Sequence, residues 1–80
     1  MQQYDEQDLS KIKEILNQLL SQETIGDDEN IYEAGVTSIM VLPLLSEIED
    51  KFGVTIPDSE FLDAKTPRSL AQVVQQLRGN

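Results

Sequence analysis

Three stretches of this chain repeat apolar residues every three or four positions, and none alternates them every second position. That spacing turns one face of an α-helix toward a core and leaves no candidate for a half-buried strand. Leu9, Ile12, Leu16, Leu19 and Leu20 form the first stripe, with Ile15 at its edge, and predict a helix over about 8–20. Asp5, Glu6 and Asp8 precede or open it, where acids complement the positive helix end. Ile39, Leu42, Leu45, Ile48, Glu49 and Phe52 form the second stripe, predicting a helix over about 38–52 with Gly53 in the C-cap place. Leu70, Val73, Val74 and Leu77 form the third, in a helix over about 67–78 opened by Thr66 as N-cap and Pro67 at the first helical position.

Thr37 is the expected N-cap of the second helix, its hydroxyl able to accept from an otherwise unpaired amide, a contribution of about 1 kcal/mol. Pro43 lies beyond the first turn, where it deletes a backbone bond and crowds the Ile39 carbonyl, at a typical cost of about 3 kcal/mol. A kink or an irregular first turn is therefore expected there. A short helix over about 59–64 follows Pro57, with Asp58 as its cap and Phe61 and Leu62 as its apolar contacts. Residues 21–36 carry no period, a long connection for a small domain. Ile31 and Tyr32 are the residues expected to pin it to the core.

The resulting fold class is all-α, a four-helix bundle of three main helices plus a short one, in a single domain over 1–80. The expected core is Leu9, Ile12, Leu16, Ile31, Ile39, Leu42, Leu45, Ile48, Phe52, Ile56, Leu70, Val73 and Leu77.

Composition narrows the chemistry. The 80 residues include no cysteine and no histidine. Disulfides, Cys/His metal sites and every Ser-His or Cys-His nucleophile are thereby excluded. A calcium loop starting at Asp28 would meet Asn30 and Tyr32 and then Glu33 where a glycine is required, so no metal site is expected. The net charge of −9, from 15 acids against 6 bases, repels phosphate backbones and anionic lipids, so neither nucleic acid nor membrane is an expected partner. The longest apolar run, Ile39 to Leu45, is far too short to span a bilayer. The opening Met1-Gln2-Gln3-Tyr4-Asp5-Glu6 lacks the basic-then-apolar order of a secretory signal. A cytoplasmic monomer is expected.

Ser38 stands apart from the other serines. Gly35-Val36-Thr37-Ser38-Ile39 joins a loop to a helix start, where a phosphodiester would face free amide hydrogens and the positive end of the helix dipole. Taken alone, a serine there is an ordinary polar first-turn residue. A hydrolase built on it is excluded, since there is no histidine and no strand leading into an elbow.

The surrounding order is more specific. An acidic loop, an apolar-aromatic pair, a glycine and a short spacer run from Asp27-Asp28-Glu29 through Ile31-Tyr32 and Gly35 to Thr37-Ser38-Ile39. Glu47-Ile48-Glu49-Asp50-Lys51-Phe52-Gly53 then leads to an Ile56-Pro57 turn, and Thr66-Pro67 opens the last helix. From about Leu9 to Leu77 this order resembles the acyl and peptidyl carrier protein family. The resemblance implies a stand-alone carrier that is not an enzyme. A phosphopantetheinyl transferase would attach 4′-phosphopantetheine, taken from coenzyme A, to Ser38, with Gly35, Thr37 and Ile39 as the flanking motif. The arm's thiol would hold acyl, aminoacyl or peptidyl intermediates as thioesters. A loading ligase or acyltransferase and downstream synthase enzymes would be the other partners.

Two departures stand out. The residue before the serine is usually acidic in acyl carriers but is Thr37 here. The helix that fatty-acid carriers commonly line with acids instead has Met40, Val41, Pro43 and Leu44. With Ile39, Leu42 and Leu45 turned inward, Met40, Val41, Leu44 and Glu47 become the expected docking face of a carrier of specialised metabolism; the equal alternative is that a kink at Pro43 buries some of them. The alternative reading is a carrier-like interaction module without a prosthetic group.

Overall fold

The computed structural model describes residues 4–21 and 24–79. Positions 22 and 23 of the expected loop, Met1 to Gln3 of the opening segment, and Asn80 lie outside the described residues. Five helices follow in order: α1 (Glu6–Leu20), α2 (Ile31–Ala34), α3 (Ser38–Phe52), α4 (Asp58–Asp63) and α5 (Pro67–Gly79). Helix α1 packs against both α5 and α3, and α4 packs on α5. The all-α class and the three main helices stand as expected.

Each helix begins where a side chain or a proline can start it. Asp5 caps α1 by accepting the Gln7 amide at 2.8 Å, two residues earlier than the periodicity marked. Thr66 caps α5, its Oγ1 accepting the Ser69 amide at 3.1 Å, and Pro67 takes the first helical position as expected. Helix α4 differs at its start: Asp58 is its first residue and Pro57, not Asp58, holds the cap position. Gly53 ends α3 in the left-handed conformation, φ 65°, where its amide donates to the Glu49 carbonyl at 2.8 Å. The Glu49 carboxylate then accepts the Ile56 amide at 2.8 Å, tying the α3–α4 connection to the helix it leaves.

The core is continuous and draws on every helix. Leu9, Ile12, Ile15 and Leu16 of α1 meet Leu44, Leu45, Ile48 and Phe52 of α3, Phe61 of α4, and Leu70, Ala71 and Val74 of α5. Ile31 of α2 joins them, and Ile25, Val36 and Ile56 fill the core from the connections. Two expected stripes are rotated. In α5 the buried positions are 67, 70, 71 and 74, with Val73 and Leu77 only half-buried at the edge.

In α3 the correction is larger. Ile39 and Leu42, expected in the core, are 85% and 72% exposed, whereas Leu44, expected outside, is 1% exposed. The run from Ile39 to Leu45 is apolar throughout, so it holds two phases of the same helical period and periodicity cannot choose between them. Packing on α1 selects the phase through Leu44, Leu45, Ile48 and Phe52. Pro43 is then on the exposed side with Ile39, four residues before it. The carbonyl that the proline leaves without a donor belongs to Ile39, a residue on the solvent side of α3, where water can satisfy it and lower the cost of a proline inside the helix.

Candidate functional site

Ser38 is the first residue of α3, and Thr37 before it has extended backbone, φ −97° and ψ 169°. Both are exposed. The chain is brought there by a one-turn helix absent from the sequence expectation. Asn30 caps α2, its Oδ1 accepting the amides of Tyr32 at 2.8 Å and Glu33 at 3.2 Å. The Asn30-Ile31-Tyr32-Glu33 order carries an N-cap followed by Glu at the third helical position, the signal that marks such a start.

The turn out of α2 admits only glycine. Gly35 has φ 131° and ψ 0°, and a Cβ there would stand 3.3 Å from Leu20 Cδ2. The Val36 amide donates to the Ile31 carbonyl at 3.0 Å, and both side chains are buried. Ile31 and Val36 thus clamp the segment to the core on either side of Gly35, and Ser38 emerges into solvent two residues later. Of the expected pins, Ile31 is fully buried and Tyr32 half-buried. Burial pushes the Tyr32 hydroxyl above its usual pKa, and the hydroxyl has no hydrogen-bond partner among the described residues.

A second set of contacts holds the acidic end of the same connection. Lys13 Nζ on α1 pairs with Asp27 at 2.7 Å, and Arg68 on α5 reaches Asp27 at 3.5 Å and Asp28 at 3.3 Å. The Arg68 amide donates to the Asp27 carbonyl at 3.0 Å, and the Ile31 amide to the Lys65 carbonyl at 2.8 Å. The Lys13 hydrogen bond holds the Asp27 carboxyl below its ordinary range against partial desolvation, with the Lys13 and Arg68 charges adding to it. Lys13 and Arg68 were not legible as partners, because 6 bases have 15 acids to choose from.

The expected docking residues separate. Glu47 is exposed, Met40 and Val41 are half-buried, and Leu44 is core. Met40 turns back toward the helix start, where its Sδ accepts the Thr37 amide at 3.4 Å. The apolar side chains beside Ser38 that do face solvent are Ile39 and Leu42.

The electrostatics around Ser38 suit a phosphodiester. The first turn of α3 contains no acid, although the chain carries a net charge of −9. Its free amides and the helix dipole favour an anion at the Ser38 Oγ. The group would be covalent through Ser38, with the α3 amides near its phosphate and Ile39 beside it. Among the described residues no cluster of three or more carboxylates is arranged to hold a metal.

A family model described as a phosphopantetheine attachment site matches residues 10–74. The chain belongs to the phosphopantetheine carrier family. Its prosthetic group is 4′-phosphopantetheine, and the helical bundle is the carrier fold. The carrier is 28% identical, over 73 residues, to the anthracycline acyl carrier protein DpsG of Streptomyces peucetius, a match covering 85% of this chain and 87% of that protein. It is 31% identical over 72 residues to the non-reducing polyketide synthase AC of Didymella fabae, covering 88% of this chain and 3% of the synthase. It is 39% identical over 57 residues to the hybrid PKS-NRPS synthetase pynA of Aspergillus niger, covering 70% of this chain and 2% of the synthetase. The carrier thus spans only a few per cent of the length of these large relatives.

Proposed function

We propose that Ser38 bears the 4′-phosphopantetheine arm and that the carrier moves polyketide intermediates between enzymes without catalysing any step itself. The single observation that carries this reading is the exposed Ser38 at the start of α3, behind a turn that only Gly35 can make, in a chain of the carrier family. The arm supplies a terminal thiol that holds the intermediate as a thioester, in a chain that has no cysteine of its own.

The roles of the chain's residues follow from their surroundings. Gly35, clamped between Ile31 and Val36, sets the direction in which Thr37 and Ser38 leave the core. The α3 amides receive the phosphate charge. The sequence offers Ser38 no histidine, so a phosphopantetheinyl transferase must take the serine proton as the Oγ–P bond forms and the remainder of coenzyme A leaves. The names of the relatives support polyketide assembly as the setting, with an acyltransferase or ligase loading the arm and synthase enzymes using it. No described helix is long and apolar enough to cross a membrane, and we place the carrier in the cytoplasm, where coenzyme A is available.

The test is intact mass after incubation with coenzyme A and a broad-specificity phosphopantetheinyl transferase. One added phosphopantetheine on the parent chain and none on Ser38→Ala is the expected result. A folded parent that gains no mass, or a Ser38→Ala variant that gains it, rejects Ser38 as the site. The first of these outcomes returns the interaction module to the front.

A further inference from the structure

The first turn of α3 is closed by a sulfur atom. The Met40 Sδ accepts the Thr37 amide at 3.4 Å, and the Met40 amide donates to the Thr37 carbonyl at 3.0 Å. Ser38 lies inside the loop that these two contacts close, so the contacts that fix the turn also fix the backbone of Ser38. At the third helical position a glutamate or glutamine oxygen is the usual partner of the cap amide. A thioether is a weaker acceptor. Packing helps to hold it here, since Met40 is half-buried against the core. The chain has two methionines, Met1 and Met40, and no cysteine. Met40 therefore carries the one sulfur among the described residues, and part of its side chain is open to solvent.

We infer that Met40 is a redox modification site: a hydroperoxide oxidises its thioether to the sulfoxide, which opens the first turn of α3 and slows arm attachment at Ser38. The inference rests on Ser38 being the attachment residue. In the reaction the sulfur gives an electron pair to the outer peroxide oxygen, the O–O bond breaks and an S–O bond forms. The sulfur is oxidised by two electrons. The remainder of the hydroperoxide takes the proton of the transferred oxygen and leaves as an alcohol, or as water from hydrogen peroxide. The product carries an oxygen on an atom that already stands at contact distance from the Thr37 amide. An amide and an oxygen acceptor need about 2.7–3.2 Å between them, so no oxygen fits between Sδ and the amide as they stand. The sulfur must withdraw, and the sulfoxide is also too polar for the core contacts that seat the thioether. Its withdrawal frees the backbone of Ser38 where a transferase has to hold the Oγ in line with phosphorus. The change is reversible, because sulfoxide reductases return the thioether.

The experiment uses the full chain before arm attachment, when it carries no thiol. The parent and Met40→Leu are treated with dilute hydrogen peroxide, the peroxide is removed, and peptide mass locates each added oxygen. Both proteins retain Met1, so an effect of oxidation there appears in both. The readouts are the initial rate of phosphopantetheine transfer from coenzyme A and the Thr37 and Ser38 amide resonances of isotope-labelled protein. The expected result is a transfer rate at least about threefold lower for the parent with sulfoxide at Met40, and both resonances shifted. The Met40→Leu rate should be the same before and after treatment. Methionine sulfoxide reductases, with a dithiol as reductant, should restore the parent rate. A Met40 that stays unoxidised while Met1 is oxidised overturns the inference while Ser38 stands. So does a Met40 sulfoxide that leaves either the rate or the resonances where they were, or an equal loss of rate in Met40→Leu. An untreated parent that takes no arm removes the Ser38 reading and the Met40 switch together.

Discussion

Arg78, in the last turn of α5, reaches back 70 residues to Asp8 in α1, its Nη1 donating to Oδ1 at 3.3 Å and its Nη2 to Oδ2. The same guanidinium lies 5.9 Å from the centre of the Phe52 ring at the end of α3. One side chain thus joins the three long helices at the end of the bundle opposite the start of α3. Asp8 is 3% exposed, and Arg78 is its ion-pair partner.

Removing Arg78 leaves a buried carboxylate unpaired. Arg78→Ala is expected to lower unfolding stability by about 2–3 kcal/mol, below the full range for an enclosed pair because the Arg78 side chain is 40% exposed. Asp8→Asn keeps acceptor capacity and should lose less. Urea denaturation of both variants measures the difference, and equal losses would contradict the asymmetry.

The phase of α3 is tested by two neighbouring leucines of the same run. Leu44→Ala, emptying a site that is 1% exposed, should cost about 2–5 kcal/mol. Leu42→Ala, at a site that is 72% exposed, should change stability by less than about 0.5 kcal/mol. The opposite ranking in a denaturant titration would restore the phase with Ile39 and Leu42 inside.

Gly35 is expected to tolerate no side chain. At φ 131° a Cβ is strained, and Leu20 stands in its way. Gly35→Ala should destabilise the chain by about 1–3 kcal/mol and slow arm attachment at Ser38, since the turn that aims α3 is displaced. A Leu20→Ala change in the same background relieves the contact but not the backbone strain. It should therefore recover only part of the loss, as read by thermal unfolding.

Asp27 gives the connection before Ser38 a dependence on acid. Its folded pKa lies below the ordinary aspartate value of 3.8, so its contribution is present above that value and is lost as pH falls through the lower, folded one. Asp27→Asn should therefore be less stable than the parent at neutral pH and converge with it below about pH 4. The gap should be under about 1 kcal/mol, because the Asp27 side chain is 38% exposed and screened. Urea midpoints of the two proteins across the acid range give the comparison; a gap that widens toward low pH would contradict it.

The helices and their order were legible because they rest on local signals. Three-and-four spacing marked α1 and α5, Gly53 marked the end of α3, and Thr66-Pro67 marked the start of α5. The proposal for Ser38 rests on equally local signals: glycine, spacer, cap and serine are neighbours in the chain, and their order resembles a known family. The phase of α3 was not legible, because a run of apolar residues presents a hydrophobic side whichever way the helix is rolled. Contact with α1 decides it, burying Leu44 and releasing Ile39 and Leu42 into solvent beside Ser38. The clamp of Lys13, Asp27 and Arg68 and the pair of Asp8 with Arg78 were equally beyond local reading. Charges so far apart in sequence find each other only when the bundle closes, and only then does an acid such as Asp8 become buried.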